Sequence, residues 1–290
     1  MRYAEVIGDP IAQSKSPIIH KRWLQQLNLS GDYRRTHVPR GTLTEFLNER
    51  RSDPDWLGCN VTIPHKEQAA TVVDRLDSAA AQIGAVNCVV PEGDTLVGYN
   101  TDVDGVAAAL GSAQIAGRKA ALIGAGGGAR AAVAYLASRG IGELALLVRN
   151  PERAQALRGL AGNSVVSIWS FGQADEAFEG ATVIVNASPL GMAGAHPMPQ
   201  FLLDAVRKHA RGGTVFDMVT TPAETGLLTA AREAGGAPVN GLTMLIGQAA
   251  RAFELFYGAS PPVPDEALRG LLTTDSGDSA SVGYNSGLKH

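Results

Sequence analysis

The sequence predicts an α/β protein of two domains: an N-terminal mixed, mostly parallel α/β unit followed by a second, regularly wound parallel one. Three observations carry that expectation. Short apolar runs alternate with longer helical stretches, the pattern of strands joined by crossover helices. A single hairpin signal, Pro91-Glu92-Gly93-Asp94, interrupts this rhythm in the first half. From Arg118 the rhythm restarts with greater regularity and with Ala-rich helices. With 290 residues, 45% hydrophobic and 18% charged, the chain can bury cores for both units.

In order along the chain, Tyr3–Gly8 reads as a strand and Pro17–Leu27 as a helix. Strands at Tyr33–Val38 and Leu57–Val61 flank an amphipathic segment at Leu43–Arg50. A helix follows Pro64, with the proline in its first turn. Ala85–Val90 and Thr95–Asn100 form the hairpin, which implies one antiparallel strand in an otherwise parallel sheet. In the second half, Arg118–Ile123, Glu143–Val148, Ser164–Trp169, Thr182–Asn186 and Thr214–Asp217 are strands. The closing helix, Leu242–Tyr257, is apolar on most faces. The first unit has few helices of its own, so this helix is expected to cross back and cover it, leaving a cleft between the units. The resulting domains are 1–101 with 242–272, then 102–241, with a disordered Ser/Gly-rich tail at 273–290.

A formal net charge of −3 without a block of Lys/Arg argues against a nucleic-acid surface. No apolar run escapes Gly, Pro or a charge for long enough to span a bilayer, so no membrane partner is expected. The N-terminus lacks the order of a signal peptide, and two cysteines, Cys59 and Cys88, are too few for a disulfide framework. A cytoplasmic chain, monomeric or homodimeric, with buried free thiols is the expectation.

Gly124-Ala125-Gly126-Gly127-Gly128-Ala129 fits G-x-G-x-x-(G/A), between the buried-strand run Ala120–Ile123 and an Ala-rich helix. In a dinucleotide site of Rossmann type Gly124 permits the tight turn, Gly126 lets pyrophosphate approach the backbone, and Ala129 lets helix and strand pack closely. Free N–H groups at the helix start then meet phosphate charge. An NAD site expects a carboxylate about 20 residues on, at the end of the second strand. Here that strand ends Val148-Arg149-Asn150, and Arg153 follows. Two guanidinium groups favour a 2′-phosphate, hence NADP, over a solvated arginine pair at a helix start.

The chemistry is expected in the other unit. Lys66, in Asn60-Val61-Thr62-Ile63-Pro64-His65-Lys66, sits at a helix N-terminus, a poor place for an ammonium and a sensible one for a proton-transfer lysine. A surface lysine would be the alternative if it stood alone. Asp102 lies at another strand-to-helix junction, in Asn100-Thr101-Asp102-Val103-Asp104-Gly105. That run resembles the start of a calcium loop, but position twelve is Gly111, so no metal is expected. Asp102 either caps a helix beginning near Gly105 or partners Lys66. Ser16, before Pro17, is likewise an N-cap candidate, while Ser14 and Ser16 together suit a substrate carboxylate.

Taken in order, these motifs resemble the shikimate dehydrogenase family over nearly all of residues 1–270. The match continues through Gly84-Ala85-Val86-Asn87, Asn186-Ala187-Ser188, Gly191-Met192, and Gly241-Leu242-Thr243-Met244 with Gln248. The resemblance implies reversible reduction of 3-dehydroshikimate to shikimate with NADPH, in aromatic amino-acid biosynthesis. It implies that Ser14 and Ser16 bind the substrate carboxylate, that Thr62, Asn87, Asp102 and Gln248 contact ring hydroxyls, and that Lys66 and Asp102 are the catalytic pair. Cofactor contacts carried over are Gly124–Ala129, Arg149, Asn150, Arg153, Met218 and Gly241, with Asn186–Met192 passing beneath the nicotinamide. Two positions depart from the pattern: Val148 replaces an asparagine, and Thr220 stands where a tyrosine is usual. Rival readings are a quinate/shikimate dehydrogenase using NAD or NADP, a catalytically impaired shikimate-binding paralogue, and a folate-type dehydrogenase of similar plan.

Overall fold

The computed structural model describes residues 1–274 and, within them, every side chain but those of Arg153 and Thr274. The first half contains β1 (Tyr3–Gly8), α1 (Ser16–Gln26), β2 (Asp32–His37), α2 (Leu43–Arg51), β3 (Trp56–Val61), α3 (Lys66–Val72), β4 (Arg75–Leu76), α4 (Ser78–Ile83), β5 (Cys88–Glu92) and β6 (Thr95–Tyr99). These strands make one sheet in the order β2-β1-β3-β5-β6-β4. Only β5 runs against its neighbours, as the hairpin signal predicted. Every residue of β1 and β3 is buried, which is why both read as nearly unbroken apolar runs.

The second half holds α5 (Asp102–Leu110), β7 (Lys119–Ile123), α6 (Gly127–Ser138), β8 (Glu143–Leu147), α7 (Pro151–Arg158), β9 (Val165–Trp169), α8 (Ala174–Phe178), β10 (Ala181–Asn186), α9 (Gln200–His209), β11 (Thr214–Asp217), α10 (Gly226–Glu233) and β12 (Ala237–Val239). Their sheet is wholly parallel, in the order β12-β11-β10-β7-β8-β9. The chain reverses direction across the sheet between β7 and β10, the switch point at whose carboxyl ends such sheets open a binding crevice.

Two helices follow: α11 (Gly241–Tyr257) and α12 (Glu266–Thr274). Helix α11 returns to the first sheet, setting Ala252 and Phe256 against Ala4, Val6, Leu57 and Cys88. Leu242, Ile246 and Phe253 pack on Ile19, Trp23 and Leu24 of α1. Burying side chains of that size contributes about 1.5–3 kcal/mol each, enough to hold the helix there. At Gly58 (φ +134°) an added Cβ would lie 2.4 Å from the Val89 carbonyl and 2.8 Å from the Phe256 ring. That position admits only glycine.

Helices α5 and α11 meet through glycine. A Cβ on Gly105 would fall 2.6 Å from the Met244 carbonyl, and one on Gly247 2.6 Å from Cβ of Ala108. This close crossing brings the start of α5 beside Gln248.

Several expectations need correction. Pro64 lies outside α3, in a cis peptide bond with Ile63, and His65 is the N-cap. The strand expected from Ala85 begins at Cys88, because Ala85–Asn87 turns to meet α3 through Val86 N–H on the Lys66 carbonyl at 2.8 Å. The short β4, α4 and β12 escape sequence reading. Thr273 and Thr274, assigned to the tail, close α12. The rest of that tail lies outside the described residues. Among the described residues no helix is long and apolar enough to cross a membrane.

Candidate active site

Lys66 opens α3 and Asp102 opens α5, and their side chains meet: Lys66 Nζ donates to Asp102 Oδ2 at 2.6 Å. The second carboxylate oxygen accepts from Asn87 Nδ2 at 2.9 Å. Asn87 cannot turn, because its Oδ1 accepts the Thr101 N–H at 2.7 Å and so fixes which end of the amide faces Asp102. Asp102 therefore does not cap its helix; Thr101 is the N-cap and the carboxylate is spent on the pair. The side chains of Lys66 and Asp102 keep 25% and 11% exposure, so the pair is shielded yet open to a ligand. Thr101 Oγ1 accepts from Asn87 Nδ2 at 3.1 Å and donates to Gln248 Oε1 at 3.4 Å, which draws α11 into the same cluster. His65, next in sequence, is turned away and buried, its Nε2 2.7 Å from the Val38 carbonyl.

Ser16 is not an N-cap either. Lys15 holds that position, Ser16 is the first residue of α1, and neither makes a side-chain cap bond there. Ser14 Oγ lies 3.4 Å from Ser16 Oγ and accepts the Ser16 N–H at 3.4 Å. Arg35 anchors this turn with two bonds to the Ser14 carbonyl, 2.9 and 2.7 Å. The two hydroxyls thus sit together at a helix N-terminus, as an anion site requires. Thr62 follows β3 and stands beside Gly8, where an added Cβ would be 2.6 Å from its methyl group.

A buried polar relay behind these groups escaped sequence reasoning. The Tyr33 phenol donates to Asn60 Oδ1 at 2.6 Å. Asn60 Nδ2 donates to the Asn87 carbonyl at 3.2 Å. Burial raises the Tyr33 pKa well above the usual tyrosine value, so it acts as a neutral donor. Tyr33, Asn60 and Asn87 consequently form one hydrogen-bonded chain that ends on the Lys66–Asp102 pair. Buried polar side chains in a strand, Asn60 above all, were the available signal.

The glycine loop lies at the switch point. Gly124 has φ +103°, and an added Cβ there would come within 3.1 Å of Ala187 after β10. Gly126 is the N-cap of α6 and Gly127 its first residue; a Cβ at either would meet nothing within 4 Å. That open space belongs to a cleft of about 840 Å³ lined by Gly124–Gly126, Arg149, Asn150, Phe171, Ser188 and His196 among others. Ala129 is fully buried and Gly128 faces the Met218 sulfur, 2.8 Å from its would-be Cβ. Gly241 packs under the same loop, 2.5 Å from the Met218 and Val219 carbonyls by the same measure. An uncapped helix N-terminus, an unobstructed glycine face and the Arg149 cation along one wall fit a dinucleotide phosphate. Asn150 carries a second duty, since its Oδ1 caps α7 through the Glu152 N–H at 2.9 Å. Val148 is buried in the core and offers the cleft no polar group. The Arg153 side chain lies outside the description.

Asp217, at the end of β11, is a further residue that sequence reasoning missed. Fully buried, it accepts from Asn186 Nδ2 at 2.9 Å, the Val219 N–H at 3.1 Å and Thr225 Oγ1 at 2.7 Å. Asn186 in turn accepts from the Ser188 N–H and hydroxyl at 3.1 and 2.6 Å. This network fixes the loop after β10, which lines the cleft, and the loop after β11, whose Met218 lies against Gly128. Desolvation raises the Asp217 pKa against the lowering effect of its donors.

Comparison with known proteins identifies the family. The model of the shikimate dehydrogenase substrate-binding domain matches residues 6–89, that of shikimate/quinate 5-dehydrogenase 106–191, and that of the shikimate 5′-dehydrogenase C-terminal domain 241–265. The shikimate dehydrogenase (NADP(+)) of Sphingopyxis alaskensis is 46% identical over 279 residues, covering 93% of this chain and 96% of its own. The chain belongs to the shikimate dehydrogenase family. Solved structures of the family superpose closely. Shikimate 5-dehydrogenase from Listeria monocytogenes, in complex with shikimate and NAD, gives a TM-score of 0.84 at 28% identity, with 94% of this chain and 96% of that one covered. The Thermus thermophilus enzyme, in complex with NADP(H) and shikimate, gives 0.79 at 32% identity, with 94% and 98% covered.

Proposed function

We propose that this chain is an NADP-dependent shikimate dehydrogenase, reversibly reducing 3-dehydroshikimate to shikimate in aromatic amino-acid biosynthesis, with Lys66 and Asp102 handling the proton. The observation that carries the mechanism is the ion pair of 2.6 Å, held from the far side by Asn87 and left open toward a ligand. When bound, the cofactor supplies the hydride to the ring carbon or takes it back. Lys66 Nζ donates toward the ring oxygen as negative charge grows on it. Asp102 holds the ammonium in place and compensates its charge.

Ser14 and Ser16 receive the substrate carboxylate, and Thr62, Asn87, Asp102 and Gln248 read the ring hydroxyls. The Gly124–Ala129 loop receives the pyrophosphate, Arg149 with Asn150 and Arg153 the 2′-phosphate end, and Met218 and Gly241 the nicotinamide end. Residues 1–101 with 242–272 form the substrate unit and 102–241 the cofactor unit. Buried free thiols at Cys59 and Cys88 suit a reducing cytoplasm, and a monomer or homodimer suffices for this chemistry.

The test is a four-way assay by nicotinamide absorbance: shikimate or quinate, each with NADP or NAD. Shikimate with NADP gives the highest kcat/KM. A preference for quinate, or for NAD, contradicts the reading.

A further inference from the structure

Lys15 lies between the two serines, yet its ammonium leaves their turn. Its Nζ lies 3.2 Å from Thr221 Oγ1, 206 positions away in the loop after β11, and 2.5 Å from the Leu272 carbonyl in the last turn of α12. Thr221 in turn accepts, through its carbonyl, the Ala193 N–H at 2.8 Å. Ala193 precedes Gly194, Ala195 and His196, which line the dinucleotide cleft. Three residues before Thr221 stands Met218, against Gly128 and Gly241. One half-buried cation thus connects the Ser14/Ser16 turn on the first sheet with the loop after β11 and, through Thr221, with the cleft-lining loop after β10 on the second.

We infer that Lys15 is a positioning residue that couples the carboxylate site to the cofactor site. The inference rests on the reading of Ser14 and Ser16 given above. A carboxylate bound at the two hydroxyls orders the turn that carries Lys15. Lys15 transmits that order to Thr221, and Thr221 fixes the loops 190–196 and 218–222 against the dinucleotide. The Leu272 carbonyl, at a helix C-terminus where a cation is welcome, aims the side chain across the gap. Coupling of this kind is reciprocal: whatever factor shikimate adds to cofactor affinity, cofactor adds to shikimate affinity.

The experiment uses the full chain and a complex that cannot turn over, NADPH with shikimate, both reduced, followed by NADPH fluorescence. In the unmodified protein saturating shikimate tightens NADPH binding about tenfold, within the range such couplings span. In Lys15→Met and in Thr221→Val the tightening falls to about twofold or less, while the NADPH affinity measured alone holds. Thr221→Val keeps the Lys15–Leu272 bond, so it carries the test if Lys15→Met folds poorly. Full tightening in Thr221→Val, or none in the unmodified protein, overturns the inference. Ser14→Ala separates the two levels of the argument. If shikimate affinity is unchanged in that variant, the carboxylate reading itself is wrong and this inference falls with it; if it drops, only the coupling is in question.

Discussion

Replacing Lys66 with methionine keeps the aliphatic stem and removes the ammonium alone. Asp102, 11% exposed, is then left with the single 2.9 Å bond from Asn87 to hold its charge. Stranding a partly shielded carboxylate in this way costs stability by about 1–3 kcal/mol, between the values for exposed and fully buried pairs. The effect on rate is larger. A positioned proton donor contributes roughly 10²–10⁴-fold, or about 3–5 kcal/mol of barrier. Its ground-state contact with a hydroxyl is charge-assisted and worth about 1.5–3 kcal/mol, so KM for shikimate rises by roughly 10–100-fold at most. Lys66→Met should therefore lower kcat by roughly 10²–10⁴-fold, beyond any rise in KM, measured by nicotinamide absorbance at saturating NADP. A kcat within about tenfold of the unmodified enzyme, in a folded variant, would refute the assignment of the proton to this pair.

Other consequences follow from the same geometry. Arg149→Ala should weaken NADP about 10–100-fold, the worth of a charge-assisted contact, with little effect on NAD; titration calorimetry with both cofactors decides, and equal losses would remove Arg149 from the 2′-phosphate. Gly241→Ala should cost roughly 1–3 kcal/mol in urea unfolding, because its Cβ would lie 2.5 Å from two backbone carbonyls that cannot yield cheaply; unchanged stability would contradict the packing. His20 is stacked on Tyr33 at 4.0 Å, and neither ring nitrogen has a hydrogen-bond partner among the described residues. Burial lowers its pKa to about 3, from 6.5 in the open chain. Its contribution is thus fully present above about pH 6.5 and is lost as pH falls toward 3, at up to about 1.4 kcal/mol per pH unit. His20→Phe should flatten the acid limb of the stability curve by that slope; parallel limbs would show that His20 is not the group.

Sequence was most informative where one physical demand governs a stretch. Buried parallel strands announce themselves as apolar runs, so β1, β3, β7 and β11 were legible nearly to the residue. The glycine loop was legible because its spacing answers to a turn, a close approach and a packing contact at once. Helix starts were less so: Ser16, Asp102 and Pro64 all carry good local capping chemistry, and in each case a tertiary partner or a turn overrides it. Short elements such as β4 and β12 have too few residues for periodicity to register. Tyr33, Asn60 and Asp217 stayed hidden for another reason. A buried hydrogen-bonded relay joins residues far apart in sequence, and each alone looks like ordinary strand composition.

The most direct test of the proton assignment is a crystal structure of the non-reacting complex with shikimate and NADPH. In that complex the C3 hydroxyl of shikimate lies within about 3.2 Å of Lys66 Nζ, and the carboxylate on the hydroxyls of Ser14 and Ser16. A carboxylate seated against Lys66, or a C3 hydroxyl beyond hydrogen-bond reach of it, would contradict Lys66 as the proton donor.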